Sequence, residues 1–382
     1  MSLALYEWRK LFRLGALWVF VALCLALNGI FIAEAATGEN RGYIASASDA
    51  VSELGARVDA DFVSGLAMLP DAGYRAALLE AARAAENVFD GYDTDALSDF
   101  YAERVSSSPA AQRIMRWKYS LLQGRVDHLA ETGAALDFYA GAATHDSHQF
   151  LFGTLLPLVL GESAICAALS TLYLHGCEDF LRTRGTLCVT RRGRSLWRVK
   201  ALASLAASAA LYALIAFATF TAYFAVFDYS GLWCSSVSSG FNYLSDLFYV
   251  RPFITWGDFT LAGYFAAALA LSAALTMVFS LLASLFGALM LSTYLAALLL
   301  GVFCFGGLGL TALLAELGCW TGYLAAYTQP IMVLLCCSGW FTELGLNAAL
   351  PWNETISTAA WLLLSGGAAA LALRRFYRKD VI

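Results

Sequence analysis

The sequence predicts an all-α integral membrane protein: six transmembrane helices plus a re-entrant segment, with a helical extracytoplasmic insert between the first two helices. Three observations carry that expectation. Hydrophobic residues fill 60% of the 382 positions and charged residues only 14%, where a soluble globular chain has roughly 45–50% and 25%. Apolar runs of membrane-spanning length recur six times. Basic and acidic residues are segregated along the chain. The composition excludes disorder, which needs low hydrophobicity and high charge. A net charge of −5 argues against a nucleic-acid partner.

The organisation follows in chain order as 1–36, 37–149 and 150–382. Residues 1–36 hold an interfacial entry helix and the first span, 14–36, interrupted only by Asn28 and Glu34. The basic start, the apolar run and Ala33-Glu34-Ala35 have the form of a signal peptide. The run of about 20 residues exceeds the 7–15 of a signal h-region, so an uncleaved anchor is expected. The other spans are 150–174, 201–227, 259–286, 289–311 and 356–373. Each is long enough for a helix to cross a ~30 Å hydrocarbon core. A further run, 322–342, is interrupted by Gln329 and Pro330.

Charge sets the orientation, because short loops rich in Lys and Arg stay in the cytoplasm. The residues before the first span, the 175–200 loop and the tail after the last span hold 14 of the 24 basic residues. The insert 37–149 reverses the balance, with 17 acids against 9 bases. Both termini and the 175–200 loop are therefore expected inside and the insert outside. Basic ends on one side require an even number of crossings, so 322–342 is read as a re-entrant or interfacial hairpin broken near Pro330. Non-helical backbone at that depth must be buried in protein.

The insert is rich in helix-forming residues. Met115, Tyr119, Leu122, Val126 and Leu129 step by 4, 3, 4 and 3, a single seam on one helix face. Leu78, Leu79, Ala82, Ala85, Val88 and Phe89 make an earlier seam, with Asp71 a candidate cap for a helix over 74–87. A self-packed helical domain and a cargo-gating or partner-binding lid both fit this pattern.

Chemistry-bearing clusters are sparse. Nine cysteines are scattered without a C-x-x-C pair, so no metal site is expected. Cys234 and Cys319 both fall outside, where a disulfide is permitted, but spacing does not specify one. His128, His145, His148 and His175 all fall outside the predicted spans, and His145 and His148 read as solvated residues before the second span. No catalytic constellation emerges. A P-loop needs Gly-Lys, and none of the four lysines, Lys10, Lys118, Lys200 and Lys379, follows glycine. Asn353-Glu354-Thr355 has the form of a glycosylation acceptor. Glu162 is the one acid well inside a span. It should face the bundle interior, either as a coupling or cargo group or as a structural hydrogen-bonding group.

The 175–200 loop carries the strongest functional signal. Glu178 and Asp179 fall where a short helix would begin, a favourable place for carboxylates. Gly185-Thr186 follows, then Arg191, Arg194 and Lys200. A positive-inside loop accounts for the basic count but not for this order. Here the sequence resembles the membrane subunit of type-2 ABC exporters, the six-span permease class that works with a separate ATPase. The amphipathic start Tyr6-Glu7-Trp8-Arg9-Lys10-Leu11-Phe12 is similar to the family's entry helix. The loop's order of acids, Gly-Thr, Arg194 and Lys200 resembles its first cytoplasmic loop. The broken segment before the last span and the basic tail from Arg375 to Ile382 are similar to the family's ending. The insert departs from the minimal pattern and leaves the cargo open.

The resemblance implies an ATP-driven permease for a lipid, peptide or drug-like cargo, without its own ATPase site. ATP and Mg would bind a dimeric ATPase partner. A coupling helix near 178–190 would dock that partner through Glu178, Asp179, Gly185, Thr186, Arg191, Arg194 and Lys200. A second permease copy or a related chain would complete the pathway in the plasma membrane of a bacterium. Two alternatives stay open: an ion-coupled secondary transporter using Glu162, and a membrane-anchored sensor or assembly factor acting through 37–149.

Overall fold

The computed structural model describes residues 3–69, 73–180, 183, 196–245, 249–290 and 292–378. Among the described residues six helices are long and apolar enough to cross a membrane, which puts the chain in the multi-pass, all-α membrane class. A short amphipathic helix, α1 (Leu3–Phe12), precedes the first long helix, α2 (Gly15–Ala36). The insert forms α3 (Asn40–Leu54), α4 (Ala60–Met68), α5 (Arg75–Arg83), α6 (Asp95–Arg104) and α7 (Pro109–Thr132). A short α8 (Thr144–His148) runs through a π-helical turn, Gln149–Leu155, into α9 (Leu156–Phe180). Then come α10 (Leu196–Val226), α11 (Leu261–Leu289), α12 (Thr293–Glu316), the short α13 (Trp320–Ala326) and α14 (Pro330–Leu335), and α15 (Asn353–Arg378). Between α10 and α11, β1 (Tyr243–Ser245) pairs antiparallel with β2 (Val250–Pro252) in the register Leu244 to Arg251.

Local chemistry explains several boundaries. Ser108 caps α7 by accepting from the Ala111 N–H at 3.3 Å, and Pro109 opens its first turn. Gly133 closes α7 at φ 60°, the left-handed turn that glycine adopts without strain. Asp59 caps α4 by accepting from the Phe62 N–H at 2.8 Å. The early insert seam yields a shorter helix than the predicted 74–87. Here α5 runs only from Arg75 to Arg83, with Tyr74 at the position before it making no side-chain cap, and Asp71 lies outside the described residues.

Helices α9, α10 and α11 form the heart of the bundle. α9 is the most buried of the long helices and α12 the least. Lipid tails are as apolar as leucine, so helices in a membrane associate through close packing and interhelical hydrogen bonds. A polar ladder meets that need. Thr171 of α9 and Ser280 of α11 bond at 2.8 Å, and Ser208 of α10 donates to Ser280 at 3.2 Å. Tyr212 of α10 donates to the Leu269 carbonyl of α11 at 2.7 Å. α1, the two ends bordering residues 181–195, and the close of α15 lie at one end of this bundle, called the basic end. The insert lies at the other.

At the insert end the later seam is realised in full: Met115, Tyr119, Leu122, Val126 and Leu129 are all buried. Each contributes roughly 1.5–3 kcal/mol by leaving water. Ile254 and Leu324, from distant parts of the chain, complete the same core. The interrupted run 322–342 breaks at Pro330, which begins α14. Thr328 accepts from the Trp361 indole N–H of α15 at 2.8 Å, and Thr311 of α12 contacts the Met332 sulfur at 3.5 Å.

Two polar expectations are corrected. His148 is not solvated, and His145 is half-buried, stacked on Tyr243. They lie on the helix that becomes the second span, and His148 is fully buried among Phe152, Phe253, Tyr264 and Tyr139. His175 is likewise buried, stacked on Trp197. The helical run begins at Thr144, before the predicted span, and extends past His175, so these histidines are carried into the packed bundle. Asn353 of the glycosylation pattern is buried at the start of α15. Cys234 and Cys319 are both free and exposed.

Candidate functional site

Three segments converge at the basic end: α1, the last turn of α9 and the first turns of α10. Glu178, buried on α9, is the centre. The Lys200 ammonium of α10 ion-pairs with its Oε2, and the Lys10 ammonium of α1 reaches its Oε1 at 3.2 Å. Lys200 also donates to the Leu174 carbonyl at 2.5 Å and lies 5.3 Å above the Trp197 ring. Lys10 pairs as well with Glu7, one turn back on α1, at 2.9 Å. Trp8 of α1 donates its indole N–H to the Ala203 carbonyl of α10 at 2.9 Å. Two carboxylates and two ammonium groups thus form a neutral, mostly buried knot. Burial works to lower the Lys10 ammonium, but the hydrogen bond to Glu7, the Glu7 charge and the hydrogen bond to Glu178 outweigh it and raise its pKa.

This geometry corrects the expected setting of Glu178 and Asp179. They close α9, in its last turn, and do not open a coupling helix. A helix C-terminus repels carboxylates. Lys200 and Lys10 offset that cost at Glu178. Of the loop residues singled out, the structure joins Glu178 and Lys200. The Asp179 side chain and Gly185, Thr186, Arg191 and Arg194 lie outside the described residues, as do Cys188 and the side chains of the basic tail beyond Arg375.

Glu162 lies in α9 with its carboxylate in the bundle interior. Asn28 of α2 donates to Glu162 Oε2 and to the Thr219 hydroxyl of α10, both at 2.9 Å. The other oxygens, Glu162 Oε1 and Asn28 Oδ1, are buried without a hydrogen-bond partner among the described residues. The node therefore staples α2, α9 and α10 and keeps two acceptors in reserve.

A third cluster, at the insert end, was not legible in the sequence. Glu343 precedes α15 and is fully buried. Arg251 of β2 ion-pairs with its Oε1, Tyr119 donates to its Oε2 at 2.7 Å, and the Gly345 N–H donates at 2.6 Å. Lys118 of α7 lies 3.8 Å from the same carboxylate and donates to the carbonyls of Glu343, Gly345 and Ala348 at 3.0, 2.6 and 3.1 Å. Burial works to raise the Glu343 carboxyl, but Arg251 and then Lys118 outweigh it and hold it below the ordinary value. Burial lowers Lys118 to about 8, with Glu343 opposing.

One sequence signal could have pointed to both charged knots. The chain has four lysines, and Lys10, Lys118 and Lys200 all enter these clusters. Where arginine serves as the ordinary surface cation, a lysine marks a site that needs a compact ammonium.

For metal binding, Glu7, Cys177 and Glu178 bring donor atoms within 4.8 Å of one another. Lys10 and Lys200 already occupy both carboxylates there, so the donors fit an ion-paired knot better than a cation site. The chain matches no family model, no curated protein and no solved structure.

Proposed function

We propose that the chain is the permease subunit of an ATP-driven exporter of the type-2 ABC class, with ATP and Mg bound by a separate dimeric ATPase. The observation that carries this reading is the Glu178 knot. It clamps the entry helix, the end of α9 and the start of α10 into one unit around the 181–195 segment. A partner pressing on that segment would move two central helices together, which is what a transmission element requires. Arginine there suits bidentate pairing with carboxylates on a partner.

In this reading both termini face the cytoplasm of a bacterial cell, a second permease copy or a related chain completes the pathway, and the cargo is a lipid, peptide or drug-like molecule. The insert faces outward, and α13 with α14 forms a re-entrant hairpin dipping from that side. The hairpin's contacts with Thr311 and Trp361 support this. The test is purification of the full chain with its native partners. An associated ATPase is expected, and its ATP turnover should fall in Arg194→Glu. No associated ATPase, or turnover unmoved by both Arg194→Glu and Glu178→Lys, sinks the proposal.

One observation favours a second reading, an ion-coupled transporter. The unpartnered oxygens of Glu162 and Asn28 are acceptors that a proton or monovalent cation would satisfy. Transport that persists without any ATPase and is lost in Glu162→Gln would favour it.

A further inference from the structure

An apolar groove of about 690 Å³ runs between α10 and α11, lined by Tyr212, Phe217, Phe220, Phe224, Phe265 and Leu269 among others. The lining follows α10 from Tyr212 to Ala225, roughly 20 Å of helix. That is comparable with the ~15 Å depth of one leaflet's hydrocarbon. Its walls are stiff. Phe265 packs edge-on against Phe220 at 5.0 Å and Phe224 at 5.3 Å, and the Tyr212 hydroxyl is anchored on α11.

The groove opens at the insert end into a second hollow of about 470 Å³, because Phe224 and Ala225 line both. The second hollow is mixed in character and carries opposite charges from two elements, Arg41 of α3 and Asp228 after α10. The Arg41 Nε donates to the Val226 carbonyl at 3.1 Å, which fixes the guanidinium at the end of α10. Its terminal nitrogens have no other partner among the described residues. Asp228 holds the Ser230 N–H with one oxygen at 2.8 Å, leaving the other for a ligand.

We infer that this two-part site binds one zwitterionic glycerophospholipid, phosphatidylethanolamine in class. An acyl chain lies along the aromatic groove, the phosphate meets Arg41, and the headgroup ammonium meets Asp228. A purely apolar occupant would leave the charged mouth unused. Phosphatidylglycerol would satisfy Arg41 through the same phosphate, but its neutral glycerol headgroup would leave the Asp228 carboxylate without a cation. The assignment does not depend on how transport is powered.

The test uses the full chain in nanodiscs of equal phosphatidylethanolamine and phosphatidylglycerol, with retained lipid weighed by native mass spectrometry. One phosphatidylethanolamine per chain is expected in the unaltered protein. Equal or preferential retention of phosphatidylglycerol overturns the headgroup assignment. Ala213 and Ala225 are exposed on the groove, so Ala213→Trp with Ala225→Trp fills it without disturbing the core. Retained lipid should disappear, and unchanged retention overturns the site. Arg41→Gln should weaken retention about tenfold, the scale of one charge-assisted hydrogen bond. Asp228→Asn should erase the preference over phosphatidylglycerol, and a preference that stays overturns the role of Asp228.

Discussion

Glu178 and Glu343 are each buried against two cations, at opposite ends of the molecule, and they differ in what they join. Glu178 ties helices of the membrane bundle to the entry helix, and one of its cations, Lys10, is partly exposed and keeps a second carboxylate in Glu7. Glu343 ties the insert to β2 and to the segment before the last long helix. It is sealed, with Lys118 and Arg251 also buried. The basic-end knot is thus a joint with a wet edge, tying the entry helix, α9 and α10 together. The insert-end knot is a dry clamp that fixes the insert on the bundle.

The comparison is most exposed to failure at Glu343. Glu343→Gln would leave two buried cations without their carboxylate, and breaking a buried pair costs roughly 3–5 kcal/mol. A large fall in melting temperature of the detergent-solubilised chain is expected. Adding Lys118→Met should recover part of it, since one stranded charge is then removed. The pH dependence gives an independent check. The folded-state pKa of Glu343 lies below its unfolded value. Its stabilisation is therefore fully present above the unfolded carboxyl value, ~4.3, and is lost as pH falls through the lower folded value. The gap between the unaltered chain and Glu343→Gln should narrow on acidification. A constant gap would mean that the clamp is not held by charge.

Glu178→Gln should cost less, about 3 kcal/mol, the lower edge for breaking a buried pair. Lys10 is partly exposed and retains Glu7, whereas both cations of Glu343 are buried; Lys200 and Lys118 alike retain backbone carbonyls. A melting-temperature loss equal to that of Glu343→Gln would erase the distinction between joint and clamp.

The two regions also differ in how far their sequence revealed them. Apolar runs are long and repetitive, so the six spans and the seam from Met115 to Leu129 could be read directly. Glu178 and Lys200 stood out because the basic loop between them is compact in sequence. The end of α9 did not, since nothing in His175-Gly176-Cys177-Glu178-Asp179 marks a stop, and the helix continues into its acids. The Glu343 clamp was invisible for another reason. Its cations lie 225 and 92 residues upstream, on segments whose own patterns are ordinary. Only tertiary contact brings them together. The same holds for Asn28, which looked like a blemish in the first span and is a partner of Glu162.

The smallest effect tests the clamp's rim. Arg125 of α7 meets Asp258, just before α11, at 2.6 Å, and His128 reaches the other oxygen of Asp258 at 3.2 Å. Burial works slightly to raise the Asp258 carboxyl, and the Arg125 hydrogen bond and charge outweigh it. The Asp258 side chain is 71% exposed, however, so water and salt screen that shift. An exposed pair is worth about 0.2–1 kcal/mol. Arg125 also donates to the carbonyls of Thr255 and Gly257 at 2.8 and 3.0 Å, and these bonds survive when Asp258 is changed. Asp258→Asn should therefore lower the melting temperature only slightly, and less still at high salt. Arg125→Ala should cost more than Asp258→Asn and show little salt dependence, because it removes two hydrogen bonds to backbone carbonyls. If the two variants matched in size and in salt response, the rim would be held by the ion pair, and the insert's attachment would depend on surface charge rather than on the buried clamp.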